Sequence, residues 1–179
     1  MIEGSLGKRY GKALLRIAIT ASQVEEILAE LESLNGTFLP KAPLTLMLGN
    51  PAISIREKKE VLEKIIQQVG LSRAVGNLLR ILLERKRSYV FSSVVREYRN
   101  MADEHLGRVR AMVHLPMATQ VGDLGLRLEK ILKKKVLLKQ EQDASLLGGI
   151  MIKIGDQVFD GSLKAQLNKL RSNVEKVAL

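Results

Sequence analysis

In RVRAMVHL, residues 108–115, the apolar side chains Val109, Ala111, Val113 and Leu115 alternate with Arg108, Arg110, Met112 and His114. A period of two predicts a strand with one buried face. Upstream of it, apolar residues recur every three or four positions, the spacing of helices. The change of period places a domain boundary near Gly107. The expected fold is mainly α: a six-helix bundle over residues 1–105, then a small α/β domain over 106–179.

Working back from the boundary, Leu6, Tyr10, Ala13, Leu14 and Ile17 form the stripe of a first helix that runs to about Thr20. Ser22 and Glu25 have capping-box spacing for a second helix, whose inner face is Val24, Ile27, Leu28, Leu31 and Leu34 and whose end is Asn35–Gly36. Glu25, Glu26, Glu30 and Glu32 give that helix an acidic outer surface. Pro40 and Pro51 limit the third helix to about Leu44–Leu48. Ser54 and Glu57 repeat the capping-box spacing before Val61, Leu62, Ile65, Ile66 and Val69, and Gly70 follows as a stop. Ser72 caps a fifth helix with Val75, Leu78, Leu79, Leu82 and Leu83 as its stripe. A sixth starts near Ser88 and carries Val94, Val95, Tyr98 and Met101.

Forward from the boundary, a helix is expected over about Gln120–Lys134, with Val121, Leu124, Leu128, Ile131 and Leu132 on one side. Strands follow over Val136–Gln140 and Ile150–Ile154, with Gly155–Asp156 as a turn signal and Val158 and Phe159 beyond it. Ser162 caps a last helix bearing Leu163, Gln166, Leu167, Leu170 and Val174.

Composition narrows the function. The 179 residues are 46% hydrophobic but only 3% aromatic, with no Trp, so the cores must be Leu, Ile, Val and Ala. With no Cys, disulfides, thiolate metal sites and cysteine nucleophiles are excluded, and a cytosolic or matrix-like compartment is permitted. The N-terminus MIEGSLGKRYGK carries an early Glu3 and no continuous apolar run. It is not a secretory signal, and the mature chain is expected to start near Met1. Charge interrupts every apolar stretch well short of the roughly 18 residues that a spanning helix needs.

The net charge of +10 invites a nucleic-acid reading. Residues 1–105 carry 16 basic and 12 acidic side chains and residues 106–179 carry 13 and 7. The shorter part is therefore the more basic. Its charges alternate with apolar positions and lack aromatic residues for base stacking, which favours a solvated surface or an acidic protein partner over RNA. A basic RNA-binding or ribosome-associated protein remains the alternative. Catalysis has little to work with, since phosphate-loop and dinucleotide fingerprints are absent. The two histidines, His105 and His114, stand apart, one near a helix end and one on the solvent side of a strand. No catalytic residue, metal ligand or cofactor site is expected.

Four segments then resemble a family in order and spacing. They are GKRYGKALLRIA (7–18), NPAISIREKKEVL (50–62), NLLRILLERKR (77–87) and DASLLGGIMIKIGDQVFDGSLKAQLNKL (143–170). Together the chain resembles the delta subunits of F-type ATP synthases, known in mitochondria as the oligomycin-sensitivity-conferring protein. It departs where Gly11 replaces a commoner Ala and where Leu78, not an aromatic, follows Asn77.

The resemblance implies a non-catalytic stator subunit that resists rotary torque during proton-driven ATP synthesis. The helical domain would grip the N-terminal helix of an alpha subunit, and the α/β domain would meet the b-type peripheral-stalk subunits. Membrane contact would come only through the complex, on the cytoplasmic side of a bacterial plasma membrane or the stromal side of a thylakoid. The implied groove lies between the first and fifth helices, with Tyr10, Gly11 and Leu14 on one wall. Asn77, Leu78 and Arg80 would reach the ligand while Leu79, Leu82 and Leu83 stay in the core. Gly7 and Gly11, four apart, share a face where another helix can approach, either the ligand or a helix of the same bundle. Lys164, Lys169 and Arg171 on the last helix would help form a mixed apolar and basic surface toward the stalk. Gly148, Gly149 and the Asp160–Gly161–Ser162 turn would position that surface.

Overall fold

The computed structural model describes residues 2–36, 43–50, 52–117 and 122–169. These divide into two compact units, Met1–Ala102 and Asp103–Leu179. The chain is mainly helical with one small four-stranded sheet.

The first unit holds α1 (Ile2–Thr20), α2 (Val24–Asn35), α3 (Pro43–Gly49), α4 (Ile55–Val69), α5 (Arg73–Glu84), a 3-10 turn (Ser88–Val90) and α6, which begins at Phe91 and ends at His105. The sixth helix therefore starts with a tighter turn than its periodicity suggests. Buried side chains from all six helices meet in one hydrophobic cluster, in which Ile27, Leu31, Leu62, Val75, Leu79, Phe91 and Val94 are almost completely inaccessible. Tyr98 lies in the same cluster, and its hydroxyl donates to the Val24 carbonyl at 3.1 Å. Burial pushes that phenol up to about 12, because a phenolate would lose its hydration there.

Local signals set the helix ends. Ser54 and Glu57 form the expected capping box on α4. Ser72 Oγ accepts from the Val75 N–H at the start of α5, and Gly70 ends α4 in the left-handed region. The expected box at Ser22 does not form: Gln23 is the cap residue of α2, with no side-chain bond. Ser22 instead has φ 56° and helps close α1, with Ser22 N donating to Ile19 O and Gln23 N to Ala18 O. That paired closure ends a helix, and the link to α2 is too short to serve both termini. Two of the expected acidic residues of α2 are also not simply solvated. Glu30 accepts from Ser72 N and Oγ, and Glu32 pairs with Arg99 at 2.7 Å.

The second unit contains β1 (Arg108–Leu115), α7 (Leu124–Leu132), β2 (Lys135–Gln142), β3 (Met151–Ile154) and β4 (Gln157–Asp160). The sheet order is β2-β1-β3-β4. β1 runs parallel to β2, a pairing that needs a crossover of a dozen or more residues, and the segment containing α7 supplies it. The other two pairings are antiparallel, and the two residues Gly155 and Asp156 turn β3 into β4. Register puts Ala111 and Val113 opposite Leu138 and Gln140 on one side and Ile154 and Ile152 on the other. Opposed residues share a face, so one face of β1–β3 is largely apolar, while Arg108, Arg110, Lys139 and Lys153 lie on the other. Asp103, at the end of α6, takes Arg108 Nε at 2.7 Å and Arg110 Nε at 2.6 Å, which fixes the start of β1. Of the sequence expectations here, Gln120, Val121, Leu170 and Val174 lie outside the described residues, as do Pro40 and Pro51 in the first unit.

Candidate partner-binding surfaces

The α1–α5 surface is built differently from its sequence expectation. α1 and α5 do pack together, but Gly11 faces α6. A Cβ at Gly11 would stand 3.0 Å from Met101 Cε and 3.2 Å from Tyr98 N, and one at Gly7 would stand 2.9 Å from the Ser93 carbonyl carbon. Both glycines ease an internal helix crossing, with Gly11 packed against α6. Leu14 is buried at 3% exposure and Leu78 at 6%, and both belong to the core rather than to a ligand-facing row.

The reason lies in small residues. Gly7, Gly11, Leu14 and Ala18 form the buried row of α1, which turns Ala13 and Ile17 outward. A stripe chosen by large apolar side chains misplaces such a face, because glycine allows the closest approach while contributing no hydrophobicity of its own.

Three of the expected residues remain accessible. Tyr10 is half-buried, with its hydroxyl accepting from Arg87 Nη1 at 3.1 Å. Asn77 is exposed, and its Oδ1 accepts from Arg80 Nη1 at 2.9 Å. Arg80 also grips Glu63 through Nε at 2.6 Å and Nη2 at 2.7 Å, a two-point clamp that pulls the Glu63 carboxyl below its ordinary range. Beside this polar set, Ile17 on α1 is 54% exposed and Ile81 on α5 is 45% exposed. Sequence reading assigned Ile17 to the core and left Ile81 out. The heptad-like spacing of Asn77, Ile81 and Glu84 was the available signal for an outward row on α5.

The second surface lies in the sheet unit. Gly161 N donates to Ile150 O and Leu163 N to Gly148 O, which holds the start of β3 against the start of the last helix. Gly149 has φ 81°, and a Cβ there would collide with the Gly161 carbonyl oxygen and stand 2.9 Å from Ser162 Cα. Asp160 Oδ1 accepts from Ser162 N at 2.9 Å, and that bond pulls its carboxyl below the ordinary range. Ser162 Oγ in turn accepts from Ala165 N, which caps the helical segment 163–169.

Lys164 and Lys169 are exposed on that segment, and Arg171 lies outside the described residues. Around them Val158, Phe159, Leu163 and Leu167 are each about half exposed. The apolar residues expected on the last helix are thus on the surface over its described part. Ile131, expected on one side of its helix with Leu128, is 75% exposed while Leu128 is buried.

Among the described residues, no group of three or more His, Cys, Asp or Glu side chains could hold a metal ion, and no helix is long and apolar enough to cross a membrane.

The family model for the ATP synthase delta (OSCP) subunit matches residues 6–174. ATP synthase subunit delta of Geotalea uraniireducens is 38% identical, over 98% of this chain and 99% of that protein. The Citrifermentans bemidjiense protein of the same name is 36% identical, with the same coverage. The Anaeromyxobacter dehalogenans one is 35% identical, over 98% of this chain and all of that protein. A chain in the cryo-EM structure of the Toxoplasma gondii mitochondrial ATP synthase hexamer has the same fold, with a TM-score of 0.69 at 22% identity, over 94% of this chain and 97% of that one. The RNA-binding alternative gains no support from these matches.

Proposed function

Since this chain belongs to the ATP synthase delta (OSCP) subunit family, we propose that it acts as a non-catalytic stator connector in the peripheral stalk of an F-type ATP synthase. Its helices form a six-helix bundle that holds the N-terminal helix of an alpha subunit. Its α/β domain meets the b-type stalk subunits. It sits at an energy-coupling membrane, on the cytoplasmic side in bacteria or the stromal side in thylakoids, and touches that membrane only through the complex. The observation that carries the reading is that family similarity spans both units, residues 6–174, instead of stopping at either one.

The physical task fits the chain. A connector under torque needs two anchoring surfaces and no turnover, and each unit exposes apolar side chains beside charged ones. On the head side, the ligand-facing set is Tyr10, Asn77 and Arg80 with the exposed Ile17 and Ile81. Arg80 enters pre-positioned by Glu63, which lowers the entropy cost of presenting it. On the stalk side, Phe159, Leu163 and Leu167 supply apolar contact, and Lys164, Lys169 and Arg171 supply charge.

The test is binding of the full chain to an alpha-subunit N-terminal peptide and, separately, to a soluble b-subunit fragment. Saturable binding to both is expected. Ile17→Asp with Ile81→Asp should abolish peptide binding alone, and retention of peptide binding in that folded double variant would exclude the α1–α5 surface.

A further inference from the structure

A cavity of about 490 Å³ in the first unit has a chemistry that the stator reading does not use. Its walls come from α3, the start of α4, the end of α5 and the 3-10 turn. Lys58 lines it and is only 9% exposed, yet its Nζ makes one hydrogen bond, to the neutral Asn50 carbonyl at 2.7 Å. A lysine ammonium has three donors, and burying it without a counter-charge is costly. Among the described residues no carboxylate pairs with Lys58 or with Lys86, a second cation in the same wall. Thr45 is also a lining residue, and its Oγ1 is buried with no hydrogen-bond partner. Ser54, Ser88 and Tyr89 are lining residues as well, with the Ser54 hydroxyl already donating to Glu57. Lys58 and Lys86 thus line one partly open cavity whose described lining residues include no carboxylate.

We propose that this cavity binds a small organic phosphate, with the phosphate group between Lys58 and Lys86. Lysine acts as a point charge, and hydroxyls can donate from separate directions, which suits a tetrahedral anion with several acceptors. A planar carboxylate is better matched by the fork of an arginine. The volume exceeds what a bare phosphate fills, and Leu48, Ile53 and Leu83 line the remainder with apolar surface. A site of this size and composition takes an apolar body attached to its anchoring charge.

The experiment is calorimetric titration of the full chain at constant ionic strength with phenyl phosphate, inorganic phosphate and benzoate, and amide NMR to map the site. Phenyl phosphate should bind one to one, about tenfold more tightly than inorganic phosphate because its ring leaves water. Amide shifts should centre on residues 45, 58, 86 and 88. Lys58→Gln should weaken binding by about tenfold or more through loss of a charge-assisted hydrogen bond. Lys86→Gln, at an exposed residue and with the fold verified from the amide spectrum, should weaken it several-fold. Absence of saturable binding, undiminished affinity in Lys86→Gln, or shifts scattered over other lysines would overturn the site. Benzoate as tight as phenyl phosphate would overturn the phosphate assignment, and inorganic phosphate as tight as phenyl phosphate would overturn the organic body.

Discussion

The helical unit and the sheet unit both expose some apolar side chains but differ in how many they bury. In the first, twenty-two buried hydrophobic residues form one cluster. Among the described residues of the second, only Ala111, Val113, Leu115, Leu128 and Leu146 reach that degree of burial, while Leu126, Ile131, Leu147, Val158, Phe159, Leu163 and Leu167 are exposed. The helical unit carries its own core. The sheet unit instead takes its geometry in part from backbone close approach and turn hydrogen bonds, and its described part leaves apolar side chains exposed. Stability in the first unit should therefore respond to side-chain volume, and in the second to backbone conformation.

The strongest test of that contrast is Gly149→Val. A β-branched residue at φ 81°, driven into the Gly161 carbonyl, combines backbone strain with a clash that no rotamer relieves. The expected loss is about 3 kcal/mol or more. Hydrogen exchange should show protection vanishing over β1 and β3 while α2 and α5 keep theirs. Equal protection in both regions would break the comparison.

Gly11→Leu tests the first unit. Overpacking against Met101 and Tyr98 should cost about 1–3 kcal/mol by thermal unfolding, with alpha-peptide affinity little changed in whatever fraction stays folded. A normal melting temperature with weakened binding would return Gly11 to the groove. Tyr98→Phe should have a smaller effect of about 1 kcal/mol, because it removes one buried hydrogen bond while keeping the ring that fills the core.

Charge reversal at Lys164 and Lys169 should leave folding intact and slow association with the b-subunit fragment several-fold at low salt, an effect that shrinks as salt rises. An unchanged on-rate would remove these lysines from the stalk surface.

The smallest effect concerns pH. Hydrogen bonds from Ser54 hold the Glu57 carboxyl below its ordinary value of 4.5. A carboxyl with a lowered folded-state value adds stability above its unfolded value and loses it as pH falls through the folded one. Glu57→Gln should therefore flatten the acid limb of the stability profile slightly, and an unaltered limb would mean that other carboxylates, such as Asp160 or Glu63, dominate it.

Much of this was legible in the residues themselves. Period three to four and then period two gave the helices and strands, and Ser54, Ser72, Gly70 and Ser162 stand at their expected caps because those signals act within one turn of chain. The overall order of motifs also pointed to the family that the comparisons show. Legibility failed where a residue had two possible duties. Ser22 could cap α2 or close α1, and Gly11 could face a ligand or a neighbouring helix.

Local chemistry along the chain therefore determined the element types, most of their ends and the division of labour between a helical and a sheet region. Only the tertiary structure decided which face of α1 turns inward, that Leu14 and Leu78 serve the core, and that Lys58 is buried without a carboxylate. The physical reason is range. Capping bonds and hydrophobic periodicity act over three or four residues, whereas the face a helix buries depends on how closely distant helices can approach, and that is set by pairs such as Gly7 and Ser93 that lie far apart in the sequence.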